Sequence, residues 1–141
     1  VGQIAVGLTG AATFLWLGMV LAISFLEAPL KFRAPGVTIP IGLGIGRLVF
    51  RALNIAEVVL GIVVAVAVLA GHGAAAELVP AAVAVAVLLV QLLAIRPPLN
   101  RRSDRVLAGE TAPRSHAHFA YVGAEVIKVA ALLVLGIAAL F

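Results

Sequence analysis

The chain has 141 residues, 64% of them hydrophobic and only 11% charged. A soluble domain is nearer half apolar and a quarter charged, so the excess is assigned to lipid rather than to one large core. A formal net charge of +4 would point to nucleic acid in a soluble protein. In a chain this apolar the basic residues instead flank membrane spans, and no nucleic-acid partner is expected. The absence of cysteine excludes a disulfide framework and thiol chemistry. At about 20 residues per span, the length fits four helices and leaves no room for a soluble domain.

The first span is read at 4–27. The N-terminus lacks a basic region before its apolar run, so a span is expected there rather than a cleavable signal. Thr9, Thr13, Trp16, Val20 and Glu27 fall on one stripe with Ser24 beside it, and that stripe is the expected inward face. Gly18 and Ala22 form a small-xxx-small pair that lets a neighbouring helix approach closely. Pro29 is expected to end or kink this helix.

Residues 31–40 read as a connection, with Pro35-Gly36 as a turn and Pro40 suited to the next first turn. Gly42, Gly44 and Gly46 resemble a phosphate loop by glycine count alone. No strand precedes them and the Walker lysine is missing, so close helix packing or a flexible interfacial segment is expected. The second span is read at 48–70. Arg47, Arg51, Asn54 and Glu57 lie at its start. Both arginines could snorkel to headgroups, whereas Glu57 sits too deep to do so.

Gly71-His72-Gly73 breaks that helix. The third span, 79–95, is a valine-alanine run whose polar member is Gln91, and Arg96-Pro97-Pro98 is expected to stop it. Residues 99–114 are the most polar stretch, with an interfacial helical turn expected at 103–108. Thr111 or Ser115 is placed to cap the fourth span, 116–140.

In that last span His118, Tyr121, Glu125 and Lys128 follow at steps of three, four and three, which places all four on one helix face. A charge at mid-bilayer costs roughly 3 kcal/mol on insertion scales, so Glu125 and Lys128 require partners, water or a ligand. His116 and His118 are two residues apart and point about 200° away from each other on a helix. With no dense Cys/His/Asp cluster, no metal and no cofactor is expected.

Nine of the ten Lys and Arg residues lie at the two odd connections or the span ends beside them. The positive-inside rule then places those connections in the cytoplasm and both termini on the non-cytoplasmic side. With that topology Glu27, Glu57, Gln91 and Glu125 fall in the cytoplasmic half, where Arg47, Arg51 and Lys128 can balance the acids. Two readings stay open. One is a closed electrostatic clamp, with Glu125 on Lys128 and Glu57 on Arg51. The other is a cavity in which Glu57 and Glu125 titrate, Lys128 and Arg51 set their charge, and Tyr121, Asn54 and Gln91 orient them.

The stretch Trp16-Leu17-Gly18, followed by Ser24-Phe25-Leu26-Glu27-Ala28-Pro29-Leu30-Lys31-Phe32, resembles the family of small four-span proteins related to transmembrane protein 205. The glycine-bearing lead at 42–50 and the basic, proline-containing segment at 96–114 follow in the same order. The resemblance implies a four-helix membrane fold and no settled activity. The family's last span often carries a histidine followed by a small polar residue, whereas here His118 is followed by Phe119-Ala120. A weaker similarity to DoxX-like and anthrone-oxygenase-like four-span proteins would imply redox chemistry, although no residue set here requires it.

The expected molecule is therefore all-α, a single-domain integral membrane four-helix bundle in the lipid bilayer. Its expected role is transport or binding of a small polar or cationic ligand or a proton, in a homo-oligomer or beside other membrane subunits. A non-catalytic accessory subunit packed through Gly18/Ala22 and Gly42/Gly46 is one alternative. A membrane oxidoreductase holding quinone or haem is another. Enzymatic activity is not the leading expectation.

Overall fold

A computed structural model describes residues 2–114 and 116–141. Four helices are long and apolar enough to cross a membrane: α1 (Gly2–Arg33), α2 (Ile39–Ala70), α3 (Ala75–Leu107) and α4 (His116–Leu140). The described regular structure is helical throughout. α1 packs on α2 and α4, and α3 packs on the same two helices, so the bundle is a closed ring in chain order. Short connections force this up-and-down arrangement. The α1–α2 turn uses Gly36 at φ 82°. Thr38 then caps α2 by accepting from the Ile41 N–H at 3.4 Å, with Pro40 in the first turn. The α2–α3 turn places His72 and Gly73 at positive φ.

One stripe of each helix is buried. Trp16, Val20, Val64, Val68, Ala84, Leu88, Leu132 and Leu135 interdigitate at the centre. The opposite faces remain apolar and exposed, among them Leu15, Ile62, Leu93 and Val134. A helix apolar on its outer face as well is suited to a membrane span or to burial against other protein.

α1 and α3 are longer than the sequence implies, because the prolines do not stop them, whereas α4 has the expected bounds. α1 continues past Pro29 to Arg33, and α3 continues through Arg96-Pro97-Pro98 to Leu107. Each passage is preceded by a π-helical segment, Leu21–Glu27 in α1 and Gln91–Ile95 in α3. A proline ring collides with the carbonyl four residues earlier. Those carbonyls belong to Phe25, Leu93 and Ala94, all inside the widened turns, where the i→i+5 pattern accommodates the ring. The turn expected at 103–108 is thus the end of a continuous helix. α2 likewise begins at Ile39, which makes the glycine segment helical rather than a loop. A Cβ on buried Gly42 would run into the Phe32 ring, and one on Gly46 would lie 3.1 Å from Lys31 Nζ. Gly18 and Ala22, in contrast, face outward, and a Cβ on Gly18 meets nothing within 4 Å. Among the described residues no helix packs on that pair. Thr111 lies in the α3–α4 connection, too far from His116 to cap α4, and Ser115 is outside the described residues.

Candidate functional site

All four helices send a polar side chain to one point in the bundle. Lys128 of α4 lies at its centre and is fully buried, as are Glu57 of α2 and Gln91 of α3, while Glu125 is 1% exposed. Lys128 Nζ lies 2.5 Å from Glu57 Oε2 and 2.5 Å from Glu125 Oε1, and donates to Gln91 Oε1 at 2.7 Å. Three contacts use the full donor capacity of an ammonium.

The carboxylates are held from the other side. Trp16 Nε1 of α1 donates to Glu57 Oε2 at 2.8 Å, and Asn54 Nδ2 donates to Glu57 Oε1 at 3.2 Å. Gln91 Nε2 donates to Glu125 Oε1 at 3.2 Å, and the Ser24 hydroxyl bonds Glu125 Oε2 at 2.7 Å. Every oxygen of both acids therefore has a partner. Ser24 and Gln91 both sit in the π-helical segments. An extra residue per turn re-aims the side chains there, and such bulges recur at functional sites.

The charge sum is uneven, with two carboxyl groups facing one ammonium. Arg96 and Arg51 form no ion pair with either acid among the described residues. Burying unbalanced charge costs several kcal/mol per ion even after relaxation. One proton would balance the remaining negative charge.

Several expected members lie elsewhere. Arg51 is exposed and does not pair with Glu57. Six residues on a helix separate two side chains by about 120°, and only Lys128 reaches the depth of Glu57. Exposed Arg47 pairs with Asp104. Glu27 pairs with Lys31 one turn later, at 3.6 Å, outside the buried centre. Tyr121 is buried, but its hydroxyl bonds neither acid; its ring meets Phe50 edge-on at 5.8 Å. His118 is half-buried on the same helix face, a turn nearer the α4 start. Asn54, Gln91, Glu57, Glu125 and Lys128 do come together.

Sequence reasoning assigned no site role to Trp16, Ser24 or Arg96. The first two lie on or beside the inward stripe of α1, which was a signal for burial but not for a carboxylate partner. Arg96 was read as a stop signal, yet its guanidinium stacks over Tyr121 at 4.5 Å and Phe50 at 5.2 Å. Among the described residues no group of three or more His, Cys, Asp or Glu side chains is arranged to hold a metal. Compared with models of protein families, with curated proteins and with solved structures, the chain finds no match.

Proposed function

We propose that the chain is an integral membrane protein with both termini on the non-cytoplasmic side, whose centre holds one exchangeable proton on Glu125, beside Lys128 and the Glu57 anion. The observation that carries this reading is the buried count of two acids to one ammonium, with Lys128 Nζ 2.5 Å from an oxygen of each. One proton balances the charge with no new ligand. It belongs on Glu125 Oε2. The partner there is the Ser24 hydroxyl, which can turn from donor to acceptor. Glu57 faces the Trp16 indole N–H, which can only donate, so this acid stays the anion. Loss or gain of that proton would reverse the Ser24 bond within a π-helical turn, coupling proton occupancy to the geometry of α1.

Infrared spectroscopy of the protein in lipid tests this. A carbonyl stretch from a protonated carboxylic acid is expected in the wild type, absent in Glu125→Gln and retained in Glu27→Gln. A wild type without that band, or a band that survives Glu125→Gln, refutes the assignment. Proton flux into vesicles that is lost in Glu125→Gln would extend the reading from proton binding to transport.

A second reading, an accessory subunit within a homo-oligomer or a larger complex, is favoured by one observation. Gly18 and Ala22 are exposed on the outer face of α1, where a second helix could approach closely. Native mass spectrometry from lipid separates the two. Release as a single chain speaks against the subunit role, and co-release of other chains supports it.

A further inference from the structure

About one turn beyond the buried centre, toward the end of the bundle that carries most of the basic residues, lies a second layer of charge. Glu27 closes the π-helical segment Leu21–Glu27 of α1, and Arg96 directly follows the segment Gln91–Ile95 of α3. The Arg96 guanidinium lies over the Tyr121 and Phe50 rings, with Nε and Nη2 buried and without a hydrogen-bond partner. Glu27 Oε2 is buried and unpartnered as well. The other oxygen of Glu27 only approaches Lys31 Nζ, at 3.6 Å, on a side chain that is 34% exposed. That separation is too long for a hydrogen bond, and an exposed pair one helical turn apart contributes little. A buried acceptor and two buried donors, of opposite charge, are thus unmet in one layer.

Phe50 brings these groups together. Lys31 Nζ, which Glu27 approaches, and the Arg96 guanidinium lie 5.9 and 5.2 Å from the centre of its ring. The fork made by Nε and Nη2 matches both oxygens of one carboxylate. Turning Glu27 from Lys31 to Arg96 would satisfy all three buried atoms, each of which costs stability while unmet. Lys31 would keep its places over the Phe32 and Phe50 rings. α1 and α3 stand diagonally in the ring of helices, each packed on α2 and α4. A pair between them therefore spans the mouth of the bundle, about one turn beyond Ser24 and Gln91, which hold Glu125. We infer that Glu27 and Arg96 form a latch that closes the basic end of the bundle over Glu125, with Lys31 holding Glu27 when the latch is open.

Double-mutant cycles in the full chain, unfolded reversibly in mixed micelles, test the latch. Glu27→Gln and Arg96→Gln, singly and together, are expected to show a coupling of about tenfold or more in the unfolding equilibrium constant. The cycle of Glu27→Gln with Lys31→Gln should give about twofold, as for an exposed pair one turn apart. Coupling at Arg96 no larger than at Lys31 overturns the latch. Should Arg96→Gln alone fail to fold, rescue in the double variant supports the pair, and failure of both overturns it. The gating role rests on the proton placed on Glu125. It is read as the rate at which the carbonyl stretch of that acid shifts on transfer to D2O. If exchange runs through the opened latch, it should be roughly tenfold faster in either single variant, by the factor of the coupling. Rates equal to that of the wild type overturn the gate. If the wild type shows no such stretch, the proton reading falls, and the cycles still decide the latch.

Discussion

Replacing each buried acid by its amide gives unequal costs if the proton resides on Glu125. In Glu125→Gln the new amide N–H takes the place of the acid proton and donates to Ser24 Oγ. The amide oxygen keeps the contacts from Lys128 and Gln91, and Glu57 still balances the ammonium. All partners survive, so the cost should stay below about 1 kcal/mol. In Glu57→Gln the amide oxygen must serve Lys128 together with Trp16 or Asn54, while the amide N–H is turned against a group that donates in the wild type. A buried donor left without an acceptor costs about 1–3 kcal/mol, and Glu125 must also give up its proton to balance Lys128. The assay is reversible unfolding in mixed micelles followed by far-ultraviolet circular dichroism, with emission from Trp16, the single tryptophan, reporting the site. Equal costs for the two variants, or a larger cost for Glu125→Gln, would refute the placement of the proton.

Lys128→Met retains the length of the side chain but leaves two acids without their cation, and should cost about 3–5 kcal/mol by the same unfolding measurement. Trp16→Phe removes the donor to Glu57 while keeping an aromatic ring in the core. A loss of about 1–3 kcal/mol is expected, read by circular dichroism because the fluorophore is gone. Leu132→Ala, at a fully buried position, should destabilise by about 2–5 kcal/mol through the cavity it leaves. Gly18→Leu meets open space and should change monomer stability by less than about 0.5 kcal/mol. If it shifts the mass of the particle extracted in lipid, that face is an interface.

Hydropathy, the two breaks at Pro35-Gly36 and Gly71-His72-Gly73, and the polar run after Arg96 were enough to read four helices. Their number does not depend on how they pack, because each apolar stretch can satisfy its own backbone within a single helix. The inward faces of α1 and α4 were equally legible, since helical spacing alone groups Thr9, Thr13 and Trp16, and groups Tyr121, Glu125 and Lys128. Helix ends were not, because a proline reads locally as a stop. Only the neighbouring helices and the widened π turns carry α1 and α3 through it.

The polar centre divides in the same way. That Glu57, Gln91, Glu125 and Lys128 needed partners followed from the cost of burying them, and the step from Glu125 to Lys128 is local to one helix. Which partners they took did not follow. Glu57 could have paired with Arg51 on its own helix, and it pairs instead with Lys128 across the bundle, braced by Trp16 of a third helix. That choice is set by depth and rotation of whole helices in a closed ring, quantities that no single segment contains. The sequence by itself determined that charge is buried in this protein; the tertiary structure alone decided that two acids share one lysine.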